Sequence, residues 1–371
     1  MPISIPVNEP VITREAKKYV NEALDTGWIS SGGLFIGKFE ESFARYLGVK
    51  HAVTTTSGTT ALHLALLTLG IGEGDEVIVA DFTMIASVFA ILYTGAKPVF
   101  VDSDPETYCI DPSLIEAKIT PKTKAIMPVH IYGHSADMDP ILAIASRHGI
   151  PVIEDAAEAH GGLYKGKKCG SLGKLNCFSF YGNKIITTGE GGMVVTNDDA
   201  LAARARRLKD LAHSEKRRFW HEEVGYNYRM TNVQAAIGLG QLEHIDEFLA
   251  AKDRMAAAYD AGLAGIKGLR LPITKPYARN VFWMYSVLVE DGFPLSKDEF
   301  RKALLDRGID TRDFFPSSIT QPAVQERFRS TERMPVSEKI AANGLYLPSG
   351  LALTDEQISA VCSAVRAIAH G

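Results

Sequence analysis

The sequence has no cysteines in a CxxC spacing. Its four cysteines, Cys109, Cys169, Cys177 and Cys362, are scattered, which argues against a zinc knuckle or a disulfide framework and predicts thiols buried in a reducing cytoplasm. A basic footprint is missing as well. The chain has 40 Lys and Arg against 44 Asp and Glu, a formal charge of −4, so nothing in the balance points to nucleic acid. No apolar run approaches the roughly 20 residues that span a bilayer. The N-terminal MPISIPVNEPVITREAKKYV has no basic stretch leading into an apolar one, as a signal peptide would. No repeat or low-complexity segment is evident. The expectation is a soluble cytoplasmic protein that partners neither membrane nor nucleic acid.

The composition is that of a folded protein: 371 residues, 46% hydrophobic, with Gly and Pro spread along the chain. That length suits two domains better than one core. Thr13 is placed to cap a helix with apolar residues at Ala16, Val20, Ala23 and Leu24, closed by Gly27. A strand and helix alternation follows. The strands are HAVTTT (51–56), EVIVA (76–80), PVFVD (98–102), AIMPVH (125–130) and PVIED (151–155), and helical stretches lie at 59–70, 84–95 and 141–149. The strands are short and apolar on both faces, which predicts an α/β fold with a mostly parallel central sheet flanked by helices.

Beyond about residue 230 the rhythm changes. TNVQAAIGLGQLEHIDEFLAAKDRMAAAYDAGL (231–263) reads as one long helix whose weak points are Gly238 and Gly240. A strand-like VFWMYSVLVE (281–290) and helices near 297–307 and 354–369 complete a smaller α+β part. The expected division is a large domain over 1–245 and a small C-terminal domain over 246–371.

One stretch concentrates the chemistry. CFSFYGNKIITTGEGGMVVTN (177–197) sets a lone lysine, Lys184, between a serine-bearing strand and a glycine-rich turn. Elsewhere, PVIEDAAEAHG (151–161) ends a strand in adjacent acids, and TSGTTALHLAL (56–66) runs a small-residue turn into a helix. Each feature alone is ordinary, since a loop lysine is usually a solvated charge. Together they match the needs of pyridoxal phosphate. Its phosphate dianion favours a helix N-terminus with free N–H groups, as Ser57-Gly58-Thr59 offers, and Ser179 adds a hydroxyl. Its pyridine nitrogen must stay protonated, which a carboxylate such as Asp155 secures. A lysine must attach the cofactor aldehyde and later carry a proton, which makes Lys184 the candidate. Ligands also collect at the carboxyl ends of strands in open α/β sheets. No metal site is indicated.

In this order and spacing the chain resembles the DegT-type sugar-nucleotide aminotransferases, which are fold-type-I pyridoxal phosphate enzymes. The likeness covers WISSGG (28–33), SGTTALHLAL (57–66), GDEVIVADFT (74–83), PVHIYG (128–133), IEDAAEAHG (153–161), SFYGNKIITTGEGG (179–192) and GYNYRMTNVQAAIGLGQL (225–242). The resemblance implies that Lys184 holds the cofactor and that Asp155 pairs with its ring nitrogen. It also implies that Gly58, Thr59 and Ser179 bind the phosphate, with Asn227 reaching it from the partner subunit of a homodimer. Glu158 falls where the family often has Gln, near the cofactor's O3′ side. Met84 stands where the family usually stacks an aromatic on the cofactor ring; a thioether can lie on such a face with a gain of about 0.3–1.5 kcal/mol.

A dehydratase branch of the family carries histidine in place of the lysine, so Lys184 marks a transaminase. Within the transaminases, WISS, GNKIITTGEGG and GYNYRMTN resemble most the members that form GDP-perosamine. Those aminate C4 of GDP-4-keto-6-deoxymannose with L-glutamate as donor. A 4-aminotransferase for a UDP- or dTDP-linked sugar is the alternative. A transaminase for free amino acids normally needs an arginine clamp, which is not evident here. A non-catalytic regulator lacks support from any helix-turn-helix or basic face.

Several weaker signals remain. Trp28 and Ser31, with Ser30 beside them, are candidates to line the sugar pocket, as are Arg229 and Arg312. His130 and His134 in PVHIYGH read first as structural histidines. Lys216, Arg217 and Arg218, followed by Phe219-Trp220, read first as a solvated face and second as a diphosphate contact.

Overall fold

The structure is a computed structural model and describes residues 4–214, 216–217 and 219–370. The Thr13 hydroxyl accepts the Ala16 N–H at 3.0 Å and opens α1 (Arg14–Asp25), with Gly27 in the left-handed region just past its end (φ 73°). α2 (Leu34–Leu47) follows, burying Phe35, Phe39 and Phe43 at helical spacing.

The alternation then appears as β1 (His51–Thr55), α3 (Gly58–Thr68), β2 (Glu76–Ala80), α4 (Ala86–Tyr93), β3 (Lys97–Val101), β4 (Thr123–Met127), α5 (Met138–His148) and β5 (Ile153–Asp155). A small hairpin, β6 (Leu163–Tyr164) and β7 (Lys167–Lys168), precedes β8 (Leu175–Ser179), β9 (Gly192–Thr196) and α6 (Asp199–Lys209). β2 pairs in parallel with β3 and β4, and β5 pairs in parallel with β8. Parallel bridges Ile126–Val152 and Val129–Asp155 join the two groups. The strands therefore run in the order β3-β2-β4-β5-β8-β9-β1, and all are parallel except β9. β9 returns antiparallel to β8 through the loop 180–191, which contains no crossover helix.

Residues 231–263 form two helices rather than the single one expected: α7 (Asn232–Leu242) and α8 (Ile245–Leu263). The break lies at Glu243-His244, not at the glycines. His244 leaves the helical region (φ −109°, ψ 12°), and its ring bonds Glu15 at 2.7 Å and Glu247 at 3.1 Å. The glycines serve close packing instead. A Cβ on Gly238 would stand 2.6 Å from the Phe39 ring, and one on Gly240 would stand 2.3 Å from the Ala16 nitrogen. Their bareness lets α7 lie against α2 and α1.

The remaining chain gives β10 (Leu269–Arg270), β11 (Ala278–Arg279), β12 (Tyr285–Val289), α9 (Lys297–Leu305), β13 (Arg312–Asp313), α10 (Pro322–Arg327), α11 (Pro335–Asn343), β14 (Gly344–Leu347) and α12 (Asp355–His370). An antiparallel sheet β10-β12-β14-β13 packs with α8, α9 and α12 around Tyr259, Tyr285, Phe300, Leu345 and Val361. β11 extends the β6–β7 hairpin. Among the described residues no helix is long and apolar enough to cross a membrane.

Candidate active site

Lys184 lies on the loop that joins β8 to β9, yet its side chain is only 9% exposed. Its Nζ is 3.9 Å from Glu158 Oε1 and 3.5 Å from the centroid of the Trp283 ring. Burial pulls Lys184 below the ordinary lysine range, opposed by the charges of Glu158 and Asp155. The same burial pushes both carboxylic acids upward, while Lys184 draws them back. A lysine drawn toward its neutral form is thus walled in beside two acids.

Asp155 closes β5 at its carboxyl end, where strands of this sheet present their last side chains. Ser87 Oγ donates to its Oδ2 at 2.8 Å and the Ala157 N–H donates to Oδ1 at 3.1 Å. Among the described residues no ion pair involves Asp155. A buried carboxylate with hydrogen bonds but no fixed cation suits the protonated nitrogen of a heteroaromatic ring.

Three residues form an anion cradle beside it. Ser57 caps α3 by accepting the Thr60 N–H at 3.1 Å, while Thr60 Oγ1 accepts the Ser57 N–H at 2.9 Å. The first-turn N–H groups of Gly58 and Thr59 have no acceptor within their helix. A Cβ on Gly58 would stand 2.6 Å from Ser179 Cβ, so the helix start and the end of β8 touch there. Two backbone donors and a hydroxyl thus converge, a donor set that fits a phosphate dianion. Glu158 is fixed by the Tyr132 N–H, which donates to its Oε2 at 2.7 Å.

The profile of the DegT/DnrJ/EryC1/StrS aminotransferase family matches residues 10–366. The chain belongs to that family. It is 51% identical to the GDP-perosamine synthase of Caulobacter vibrioides over 366 residues, 97% of each chain. The solved structure of DesV from Streptomyces venezuelae superposes with a TM-score of 0.90 at 40% identity, covering 96% of this chain and 95% of the other. The PLP form of Spr1654 from Streptococcus pneumoniae superposes with a TM-score of 0.93 at 26% identity, covering 99% of this chain and 98% of the other. As a member of this family the chain is a pyridoxal phosphate-dependent aminotransferase with the fold-type-I architecture.

Not every residue singled out in the sequence lies in this cluster of the aminotransferase. Met84 is 45% exposed; its Sδ accepts the Ala86 N–H at 3.0 Å and its carbonyl accepts the Ser87 N–H at 3.1 Å, so it sits one short turn from the serine that holds Asp155. Asn227 is exposed and its backbone bridges Asp210. Arg229 pairs with Asp210, and Arg312 pairs with Asp310. Trp28 and Ser31 are exposed on a loop tied to α7, where Asn232 Nδ2 donates to Trp28 O at 2.6 Å and the Asn232 N–H donates to Ser30 O at 2.7 Å. None of Trp28, Ser31, Asn227, Arg229 and Arg312 hydrogen-bonds or ion-pairs with Lys184 or Asp155 among the described residues. His130 is buried and bonded to Glu154 at 2.8 Å; His134 bonds Ser135 O at 2.7 Å and the Lys275 N–H at 3.1 Å. Both are buried and hydrogen-bonded within the fold. Lys216 is exposed and Arg217 lies over the Trp220 ring at 4.7 Å; Arg218 lies outside the described residues.

Two neighbours of the site escaped the sequence reading. Ser87 reaches Asp155 across 68 residues, and Trp283 bonds Asn183 O through its indole N–H at 2.8 Å across 100 residues. A serine opening a helix and a tryptophan in an apolar run carry no local mark of either contact.

Proposed function

We propose that this aminotransferase moves the amino group of L-glutamate to C4 of GDP-4-keto-6-deoxymannose, giving GDP-perosamine, and that it works in the cytoplasm as a homodimer. The observation that carries the substrate is the 51% identity, over 97% of both chains, to a GDP-perosamine synthase. In this reading residues 1–245 hold the cofactor and 246–371 form the smaller domain.

When bound, pyridoxal phosphate supplies an aldehyde that accepts the amino group and a ring that withdraws electrons. Lys184 would hold the cofactor, and its Nζ would carry the proton to and from the reacting carbon. Its burial supports this, because a neutral amine is both the nucleophile and the base. Asp155 keeps the ring nitrogen protonated, and the Ser87 hydroxyl on Oδ2 orients the carboxylate. Gly58, Thr59 and Ser179 hold the phosphate, joined by Asn227 of the partner subunit. Met84 would cover a ring face and Glu158 would stand on the O3′ side, as the family resemblance implies. Trp28, Ser31, Arg229 and Arg312 serve the nucleotide sugar.

The test is to offer the purified protein pyridoxal phosphate, L-glutamate and a panel of GDP-, dTDP- and UDP-linked 4-keto sugars. The expected result is the highest kcat/KM for GDP-4-keto-6-deoxymannose, because nucleotide contacts far from C4 help to position the reacting carbonyl. Equal or better turnover of a dTDP- or UDP-linked sugar would overturn the substrate assignment.

A further inference from the structure

α8 carries a lysine on its apolar stripe. Phe248, Lys252, Met255, Ala256 and Tyr259 follow helical spacing, and every one of them is buried. Lys252 is 2% exposed and among the described residues has no carboxylate partner; its Nζ donates to two backbone carbonyls, Trp283 O at 2.9 Å and Ser349 O. An unpaired buried ammonium is costly, and burial alone brings its pKa down to about 7. A leucine there would pack without that cost, so a role for the charge has to be sought in what it holds.

It holds the backbone that presents Trp283. That segment is held under strain: Phe282 lies in the left-handed region (φ 46°), and its N–H donates to Asn280 Oδ1 at 2.9 Å. Gly133 faces the same peptides so closely that a Cβ on it would stand 2.8 Å from the nitrogens of Phe282 and Trp283. Trp283 in turn touches the catalytic loop twice. Its ring covers Lys184 Nζ at 3.5 Å, and its indole N–H donates to the carbonyl of Asn183, the residue before Lys184. The Asn8 side chain donates to the same carbonyl at 3.2 Å.

We propose that Lys252 is a positioning residue for Lys184: by fixing the Trp283 carbonyl it sets the indole that covers the Lys184 nitrogen and pins the backbone of its loop. The inference rests on the assignment of Lys184 as the cofactor-holding residue. Two effects follow from the geometry. The indole face favours a positive charge on the Lys184 nitrogen, and its N–H fixes the Asn183-Lys184 peptide.

The test uses the pyridoxal phosphate-loaded enzyme and five proteins: wild type, Lys252→Met, Lys252→Gln, Trp283→Leu and the double variant Lys252→Met/Trp283→Leu. The first readout is the pH midpoint of the bound cofactor's absorbance change, which needs no sugar substrate. Loss of the aromatic face should lower that midpoint by about one pH unit in Trp283→Leu, with a smaller shift in the same direction in Lys252→Met. The double variant should match Trp283→Leu alone, because Lys252 acts through Trp283. The second readout is the glutamate half-reaction, where Lys252→Met should lower the rate about tenfold with KM for glutamate little changed. Lys252→Gln, which keeps a donor, should fall between wild type and Met. A folded Lys252→Met with an unmoved midpoint would overturn the proposal, and so would additive shifts in the double variant. Failure of both Lys252 variants to fold would do the same, marking a general structural anchor instead. If wild type itself forms no cofactor band or fails the glutamate half-reaction, the underlying assignment fails first.

Discussion

Lys184 and Asp155 make opposite demands on the same buried space, and the side chains around them reconcile the two. In the proposed roles Lys184 needs its ammonium disfavoured, which burial does; Asp155 needs to stay ionised, which the donors Ser87 and Ala157 and the charge of Lys184 favour against burial. Replacing Asp155 by Asn keeps the shape and removes the charge, so the glutamate half-reaction should slow by about a thousandfold or more in a folded protein. Stopped-flow measurement of that half-reaction checks it, and a variant within about fivefold of wild type would refute the assignment. A second residue-scale expectation concerns pH and stability. His134 donates from one ring nitrogen to Ser135 O and accepts the Lys275 N–H on the other, so it must be neutral, and burial holds its pKa near 4 against an ordinary 6.5. As pH falls, the unfolded chain takes up this proton first. The stability that His134 contributes is therefore complete above about pH 6.5 and is lost progressively as pH falls through 4. Melting curves of wild type and His134→Ala should converge across that window, and parallel curves would contradict the assignment.

At the level of elements, two glycines separate packing from propensity. Gly238 in α7 faces the Phe39 ring, so Gly238→Ala should destabilise by about 1–3 kcal/mol through overpacking. Gly37 lies inside α2 with nothing within 4 Å of its Cβ position, so Gly37→Ala should stabilise by up to about 1 kcal/mol. Denaturant titration of both variants checks the contrast. The same division explains what could be read from the sequence. The strands β1 to β5, the Thr13 cap and the helix that Ser57 opens were legible because alternation and capping are local signals. The two-helix form of 231–263 was not, because its break depends on His244 meeting Glu15, 229 residues away. For the proposed site, residue type and spacing singled out Lys184, Asp155 and Ser179. Ser87, Trp283 and Lys252 act through contacts that only the fold creates. Lys252 did leave one trace, a charge on an otherwise apolar helical stripe, which a search for misplaced charges would catch.

For the whole molecule, the placement of Asn227 makes the proposed homodimer testable. It is exposed, and among the described residues it shares no hydrogen bond with Lys184 of its own chain. In a mixed dimer of Lys184→Ala and Asn227→Ala chains, two-fold symmetry puts both lesions in one site and leaves the other intact. Co-expressed under different tags, that dimer should recover about half the wild-type activity per dimer, well above the mean of the two parents. Rates no higher than that mean would place Asn227 with its own subunit's site or with none. The half-reaction and mixed-dimer expectations depend on Lys184 as the attachment point, and that is open to direct measurement. The loaded enzyme is reduced with borohydride, digested, and the cofactor-bearing peptide is sequenced. The expected outcome is label on the peptide carrying Lys184 alone, with Lys184→Ala taking up none and showing no turnover. Label on another lysine, or turnover surviving in Lys184→Ala, would contradict the proposed site.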